Sequence, residues 1–279
     1  MRSTFLYDQG SARISEDGIV FQPPHFYGAL DGVSGIYLPE EGPRLFGGRT
    51  GGQLASYIVS RAFGSALAEE PLESILRRAN TILRKLAEAN RLSLQASELL
   101  PSAVFAIARV SEESVNIIQA GDSLAVWSTR NGMIGGTPNR AFDYEADLRD
   151  EIALLRARHG KDKQRMWEDF RPSLANKRRA NINTVQGGFA SLNGQPEAEN
   201  FWQVFSLARE EIRVLILFSD GFVPFRWTQD EMLLAERVLG LYQKGGMQLV
   251  LDESRAIAEL EKDLSHEDQP EATAIAIEF

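Results

Sequence analysis

The chain has no cysteine, and only 3 of its 279 residues are histidine. The first absence excludes a disulfide framework and thiolate chemistry alike. The second means that any metal site must be built mostly from oxygen ligands, which favours Mg2+ or Mn2+ over Zn2+. Long apolar runs are missing too. The longest are strand-sized, far short of a membrane span, so no membrane partner is expected. The opening "MRSTFLYDQGSARISEDG" holds no apolar segment of the secretory-signal kind, and a cytoplasmic location is the expectation. A basic balance is also lacking: the formal net charge of −9 argues against general nucleic-acid binding. No repeat or low-complexity linker breaks the chain.

What is present is the composition of a globular protein, 43% hydrophobic and 25% charged. Short apolar runs bounded by Gly, Asp or Asn read as strands over Gly18–Gln22, His25–Leu30, Ala103–Val110, Ser114–Gln119, Leu124–Ser128, Val214–Phe218 and Thr273–Phe279. "RVSEESVNIIQ" and "WSTRNGMIGG" look like hairpins, the second through Asn131-Gly132. Between Gly48 and Leu100 two amphipathic helices are expected. One places Leu54, Ile58, Ala62 and Phe63 on a face; the other starts at Pro71 and carries Leu72, Ile75, Leu76, Ala79, Ile82, Leu83 and Leu86. Two late helices are expected at Thr228–Leu239, capped by Thr228, and at Glu253–Leu264. The highly charged stretch of about 140–183 reads as a mostly helical insertion. Its basic residues Arg156, Arg158, Lys161, Lys163, Arg165, Lys177, Arg178 and Arg179 form either a solvated face or a substrate-side flap. Strands, paired helices, strands and helices in this order give an α+β class.

Chemistry concentrates where apolar runs end in an acid beside a glycine. "HFYGALDGVSG" carries Asp31-Gly32, "SVNIIQAGDSLAVWS" carries Gly121-Asp122, and "VLILFSDGFVPF" carries Asp220-Gly221. Asp268 precedes the last strand in "LSHEDQPEATAIAIEF". Any one of these alone is an ordinary turn signal. Together they suggest one shared site, in which clustered carboxylates repel unless a divalent cation neutralises them.

The ordered set "R…ED", "LDGVSG", "IQAGDS", "LFSDGF" and a last acid before "TAIAI" resembles the metal-dependent PP2C (PPM) protein phosphatases, over about Arg13 to Phe279. The resemblance implies one domain spanning residues 1–279 and an αββα sandwich, two antiparallel sheets flanked by helix pairs. It implies a Ser/Thr phosphoprotein phosphatase using two Mg2+ or Mn2+ ions, with a third-ion position. A bridging water activated by the metals would attack phosphorus. Asp31 would bridge both ions, the Gly32 carbonyl would hold one, and Asp220 and Asp268 the other. Asp122 would stand by the third-ion position, and Arg13 would bind phosphate. Three joins stay open. The N-terminal acid is Glu16 or Asp17. The C-terminal acid is Asp268 or the nearer Glu271. The last alternative is a weakened metal site in a binding or regulatory module of the same fold. His25 and His266 are left out of the site.

Overall fold

A computed structural model describes residues 1–37, 42–160, 162–185, 188–224, 227, 229–261 and 269–279. Lys161, Thr228, His266 and Asp268 lie outside these residues. The strand β9 (Ile212–Phe218) explains the unbroken apolar run of "VLILF". Its Leu215 and Leu217 face a second sheet, while Ile216 and Phe218 face a helix. A strand covered on both sides has no polar face to show. The strand β4 (Ser102–Val110) repeats the pattern, with Phe105 and Ile107 toward helices and Ala106 and Ala108 toward the facing sheet.

One sheet runs in the order β1 (Arg2–Asp8), β10 (Ala272–Glu278), β9, β6 (Leu124–Thr129) and β7 (Ile134–Gly136). The other runs β2 (Gly18–Gln22), β3 (Phe26–Val33), β4, β5 (Ser114–Ala120) and β8 (Gln203–Ala208). Every strand pair is antiparallel. Helices α1 (Gly51–Gly64) and α2 (Leu72–Ala89) cover the β3 sheet through Ile58, Phe63, Ile75, Leu76 and Leu83. Helix α5 (Glu231–Glu261) covers the β9 sheet through Leu234, Val238 and Val250. A third cluster, including Tyr27, Ile117, Leu215 and Ile275, fills the space between the sheets. The architecture is the expected αββα sandwich.

Two strands, β1 and β8, were not expected from the sequence, and the expected hairpin through Asn131-Gly132 is present. β1 and β8 are edge strands whose residues alternate between exposed and half-buried, so neither carries an apolar run. β7 is only "IGG", paired to β6 across the Asn131-Gly132 turn, where Gly132 takes φ +88°. The two late helices run as α5, broken at Gly245 and Gly246, where the backbone leaves helical geometry. Asp230 caps its start by accepting from the Met232 and Leu233 N–H groups, a role the sequence reading gave to Thr228. No helix among the described residues is long and apolar enough to cross a membrane.

Between β7 and β8, α3 (Phe142–His159) and α4 (Lys163–Asn181) pack through Ile152, Leu155, Phe170 and Leu174. Three of their basic residues, at the end of α4, are tied to other elements, while Arg158, Lys163 and Arg165 are exposed. Lys177 pairs with Glu151 at 3.0 Å, Arg179 donates to the buried Glu98 at 2.5 Å, and Arg178 donates to the Ser34 carbonyl at 3.1 Å. Trp167 Nε1 donates to the Tyr37 carbonyl at 3.1 Å. The pair is thereby fastened to the segment that follows β3.

Antiparallel pairing dictates which chain ends meet. The C-terminal ends of β3 and β5 lie beside the N-terminal end of β4, the N-terminal end of β2 lies beside the C-terminal end of β3, and the C-terminal end of β9 lies beside the N-terminal ends of β6 and β10. The β5–β6 turn joins the two sets, since it crosses from one sheet to the other. Two of the motif glycines are needed there for close backbone approach. A Cβ on Gly32 would stand 2.3 Å from the Glu16 carbonyl and 2.5 Å from that of Gly52, and one on Gly221 would stand 1.9 Å from the Glu271 carbonyl. These contacts are with neighbouring backbone, which cannot swing aside. Gly32→Ala is therefore expected to destabilise the fold by at least ~1–3 kcal/mol, read as a lowered midpoint in urea or heat.

Candidate metal centre

Side-chain alternation decides where Asp31 points. Tyr27 on β3 belongs to the cluster between the sheets and Leu30 to the helix side. Asp31, an even number of residues from Tyr27, therefore faces the gap between the sheets at its open end. Asp122 lies in the turn that crosses between the sheets, and Asp220 follows the end of β9. The three acids named from Asp-Gly and Gly-Asp pairs thus come to the same end of the sandwich. The strongest charges acting on Asp31 are all acids, Asp220 first, then Asp17, Asp122 and Glu16. Burial, and then this repulsion, push its carboxyl well above the ordinary carboxylate range.

The structure adds an acid that the sequence did not single out. Glu145 stands in the first turn of α3, and one carboxylate oxygen each from Asp122, Glu145 and Asp220 lie within 4.8 Å of one another. Burial, then the charge of Asp122 and a hydrogen bond with it, hold Glu145 well above the usual range. Asp122 Oδ1 is sealed from solvent and has no hydrogen-bond partner. An orphaned buried carboxylate oxygen, surrounded by acids, is a donor set that a hard divalent cation satisfies and that a hydrogen-bond network does not. The residues present therefore fit Mg2+ or Mn2+.

The loop between β1 and β2 carries the remaining candidates. Glu16 turns toward α1: Oε1 accepts from Ser34 Oγ at 2.5 Å and from Thr50 Oγ1, which caps that helix. Ser34 also accepts the Gly52 N–H at 3.1 Å, so it ties the same acid to the helix start. Asp17 turns the other way, with Oδ2 accepting from Ser219 Oγ at 2.8 Å, beside Asp220. Ser219 in turn accepts from the Thr273 N–H at 2.9 Å, which joins β9 to β10. Glu271 accepts from Tyr7 Oη at 2.6 Å and from the backbone N–H groups of Glu16 and Asp17 at 2.8 and 3.2 Å. Partial burial, and then this bond to Glu271, push the Tyr7 hydroxyl up to about 12. Glu271 thus organises the loop that presents Asp17. Arg13 is exposed in the same loop. Asp268 lies outside the described residues.

A group whose folded pKa is raised stabilises the fold below its unfolded value, ~3.9 for Asp, and that stability is lost as pH rises through the folded value. The metal-free protein is accordingly expected to lose stability with rising pH above ~4 through Asp31. Asp31→Asn removes that charge at constant shape. Its metal-free form is expected to melt higher than wild type at pH 8, with the gain shrinking toward pH 4, as followed by circular dichroism in chelator.

No family model matches the chain, and no curated protein matches it. Solved structures do. The serine/threonine phosphatase PstP/Ppp of Mycobacterium tuberculosis aligns over 100% of this chain and 98% of its own, at 15% identity and a TM-score of 0.56. The PstP catalytic domain in complex with two manganese ions aligns over 99% and 96%, at 16% identity and 0.56. The serine/threonine phosphatase Stp1 of Staphylococcus aureus aligns over 99% and 94%, at 19% identity and 0.55. The two five-stranded antiparallel sheets with their covering helices are the fold of these PP2C-type phosphatases.

Proposed function

We propose that the chain is a Mg2+- or Mn2+-dependent phosphatase of serine- and threonine-phosphorylated proteins, a phosphoric monoester hydrolase active in signalling. The observation that carries this is the convergence of Asp17, Asp31, Asp122 and Asp220 at one end of the sandwich, with no cation among the charges that dominate at Asp31. A scaffold gains nothing from such repulsion. The neighbour with two manganese ions supports the same reading.

Asp31 and Asp220, with the Gly32 carbonyl and Asp268, would hold two ions, and Asp122 would face a third position. Asp17 is preferred over Glu16 as the N-terminal acid, because Glu16 is already filled by the hydroxyls of Ser34 and Thr50. Asp268 is preferred over Glu271, whose carboxylate already accepts three hydrogen bonds. Divalent ions bound there supply Lewis acidity toward a phosphoryl oxygen and a water of lowered pKa. The protein's part is positional. Ser219 orients Asp17 against the end of β9, and Glu271 fixes the loop on which Arg13 and Asp17 sit. The exposed Arg13 guanidinium offers a planar fork for two phosphate oxygens.

Hydrolysis of p-nitrophenyl phosphate and of phosphoserine and phosphothreonine peptides, with and without Mn2+, tests the reading. Asp31→Asn is expected to remove nearly all Mn2+-dependent turnover, at least ~100-fold. Arg13→Ala is expected to raise KM for phosphosubstrate while leaving Mn2+ affinity unchanged by calorimetry. A folded wild-type protein that binds Mn2+ but hydrolyses none of these substrates would instead support the binding-module alternative.

A further inference from the structure

The α3–α4 pair stands apart from the two-sheet core, yet it puts one side chain into the acidic end. Glu145 reaches Asp122 and Asp220 from a third element, so the group joins the β5–β6 turn, the end of β9 and the first turn of α3. We propose that Glu145 is a ligand of a divalent cation held with Asp122 and Asp220, and that this ion fastens the α3–α4 pair to the catalytic end of the sandwich. The inference rests on the metal-dependent reading above and goes beyond it, since it makes the helix pair part of the metal centre.

The position of Glu145 is built rather than incidental. Its backbone N–H donates to the Ala141 carbonyl at 2.9 Å, closing the first turn of α3. Its neighbour Tyr144 packs against Phe189 with ring centroids 5.2 Å apart and the rings tilted by 44°, in a cluster with Ala141 and Ile182. Tyr144 also hydrogen bonds with Arg178, which reaches on to the Ser34 carbonyl three residues after Asp31. The turn bearing Glu145 is thus held between the segment after β3 and the end of α4. From there the carboxylate meets two other carboxylates, one of which, Asp122, keeps a fully buried oxygen without a partner. Oxygens on one Mg2+ or Mn2+ stand ~3–4 Å apart, given metal–oxygen distances of ~2.0–2.2 Å. The observed spread of at most 4.8 Å needs only a small contraction to reach that range. The ion class is a hard one that prefers carboxylates and retains water, and the exposed position of Asp220 leaves room for water ligands.

A common alternative role for such a glutamate is structural, a carboxyl that shares a proton with Asp122 and never meets a metal. Glu145→Gln separates the two. It keeps the shape and a hydrogen-bond donor toward Asp122, and it removes the anionic ligand. The experiment is Mn2+ titration by calorimetry on the full chain, together with amide hydrogen exchange over residues 142–156 with and without Mn2+. In the wild type, Mn2+ is expected to slow exchange in this stretch. In Glu145→Gln, one class of Mn2+ sites is expected to weaken at least ~10-fold, the remaining sites to stay as in wild type, and the Mn2+-dependent protection of α3 to disappear. An unchanged isotherm for a Glu145→Gln protein that melts like wild type would overturn the proposal and leave the phosphatase reading standing. Wild-type protein that binds Mn2+ without protecting residues 142–156 would overturn the fastening of the helices, whatever the variant does. Wild-type protein that binds no Mn2+ would overturn both.

Discussion

Repulsion among carboxylates at the open end of the sandwich is the constraint around which the rest is arranged. Asp31 has Asp220, Asp17, Asp122 and Glu16 as its strongest electrostatic neighbours. Like charges at this density raise one another's pKa values and weaken the fold that gathers them. The surrounding structure holds them regardless. Two sheets buried on both faces supply the rigidity, and hydroxyls and backbone N–H groups hold the acids that flank Asp31. Ser34 and Thr50 hold Glu16, Ser219 holds Asp17, and the N–H groups of Glu16 and Asp17 hold Glu271. Stability is drawn from the core and spent at the mouth, a distribution that suits a site completed by a cation.

Much of this was legible in the sequence because burial on two faces writes itself as an apolar run. "VLILF" and "AVFAIARV" are strands between a helix layer and a sheet layer, and the acids at their ends stand out against them. The amphipathic α1 and α2 were legible because burial of one helix face sets apolar residues three and four positions apart. Edge strands β1 and β8 were not, since half-exposed residues leave no run to read. Glu16 and Asp17 are adjacent and alike in the sequence, and only the packing of α1 shows that Glu16 turns toward Ser34 and Thr50 while Asp17 turns toward Ser219. In the sequence the glycines beside Asp31 and Asp220 stand out only as turn signals. The structure gives a more immediate reason for Gly32 and Gly221, which is contact with neighbouring backbone at distances no Cβ allows.

Glu145 escaped the sequence reading for a different reason. It sits in "FDYEADLRDE", one acid among several on a charged helix, and nothing in its local pattern sets it apart. The signal is tertiary: the helix begins where the turn at Asp122 passes. In the same way the basic residues of the charged insertion read as a solvated face or a substrate-side flap, whereas Lys177, Arg178 and Arg179 are anchors to Glu151, the Ser34 carbonyl and Glu98. A charge run on a helix describes composition, and its partners decide whether it is surface or fastening.

The position of β10 has a kinetic meaning. It lies between β1 and β9, and its Thr273 N–H and the Glu271 carboxylate beside it hold Ser219 and the loop of Glu16 and Asp17 in place. β1 pairs with β10 alone among the described strands, so its register is set by residues about 270 positions downstream. During synthesis β1 must wait without its partner until residues 272–278 have emerged. A ribosome-bound chain lacking β10 therefore has its helices and the β3 sheet available to fold, but not yet the partner of β1.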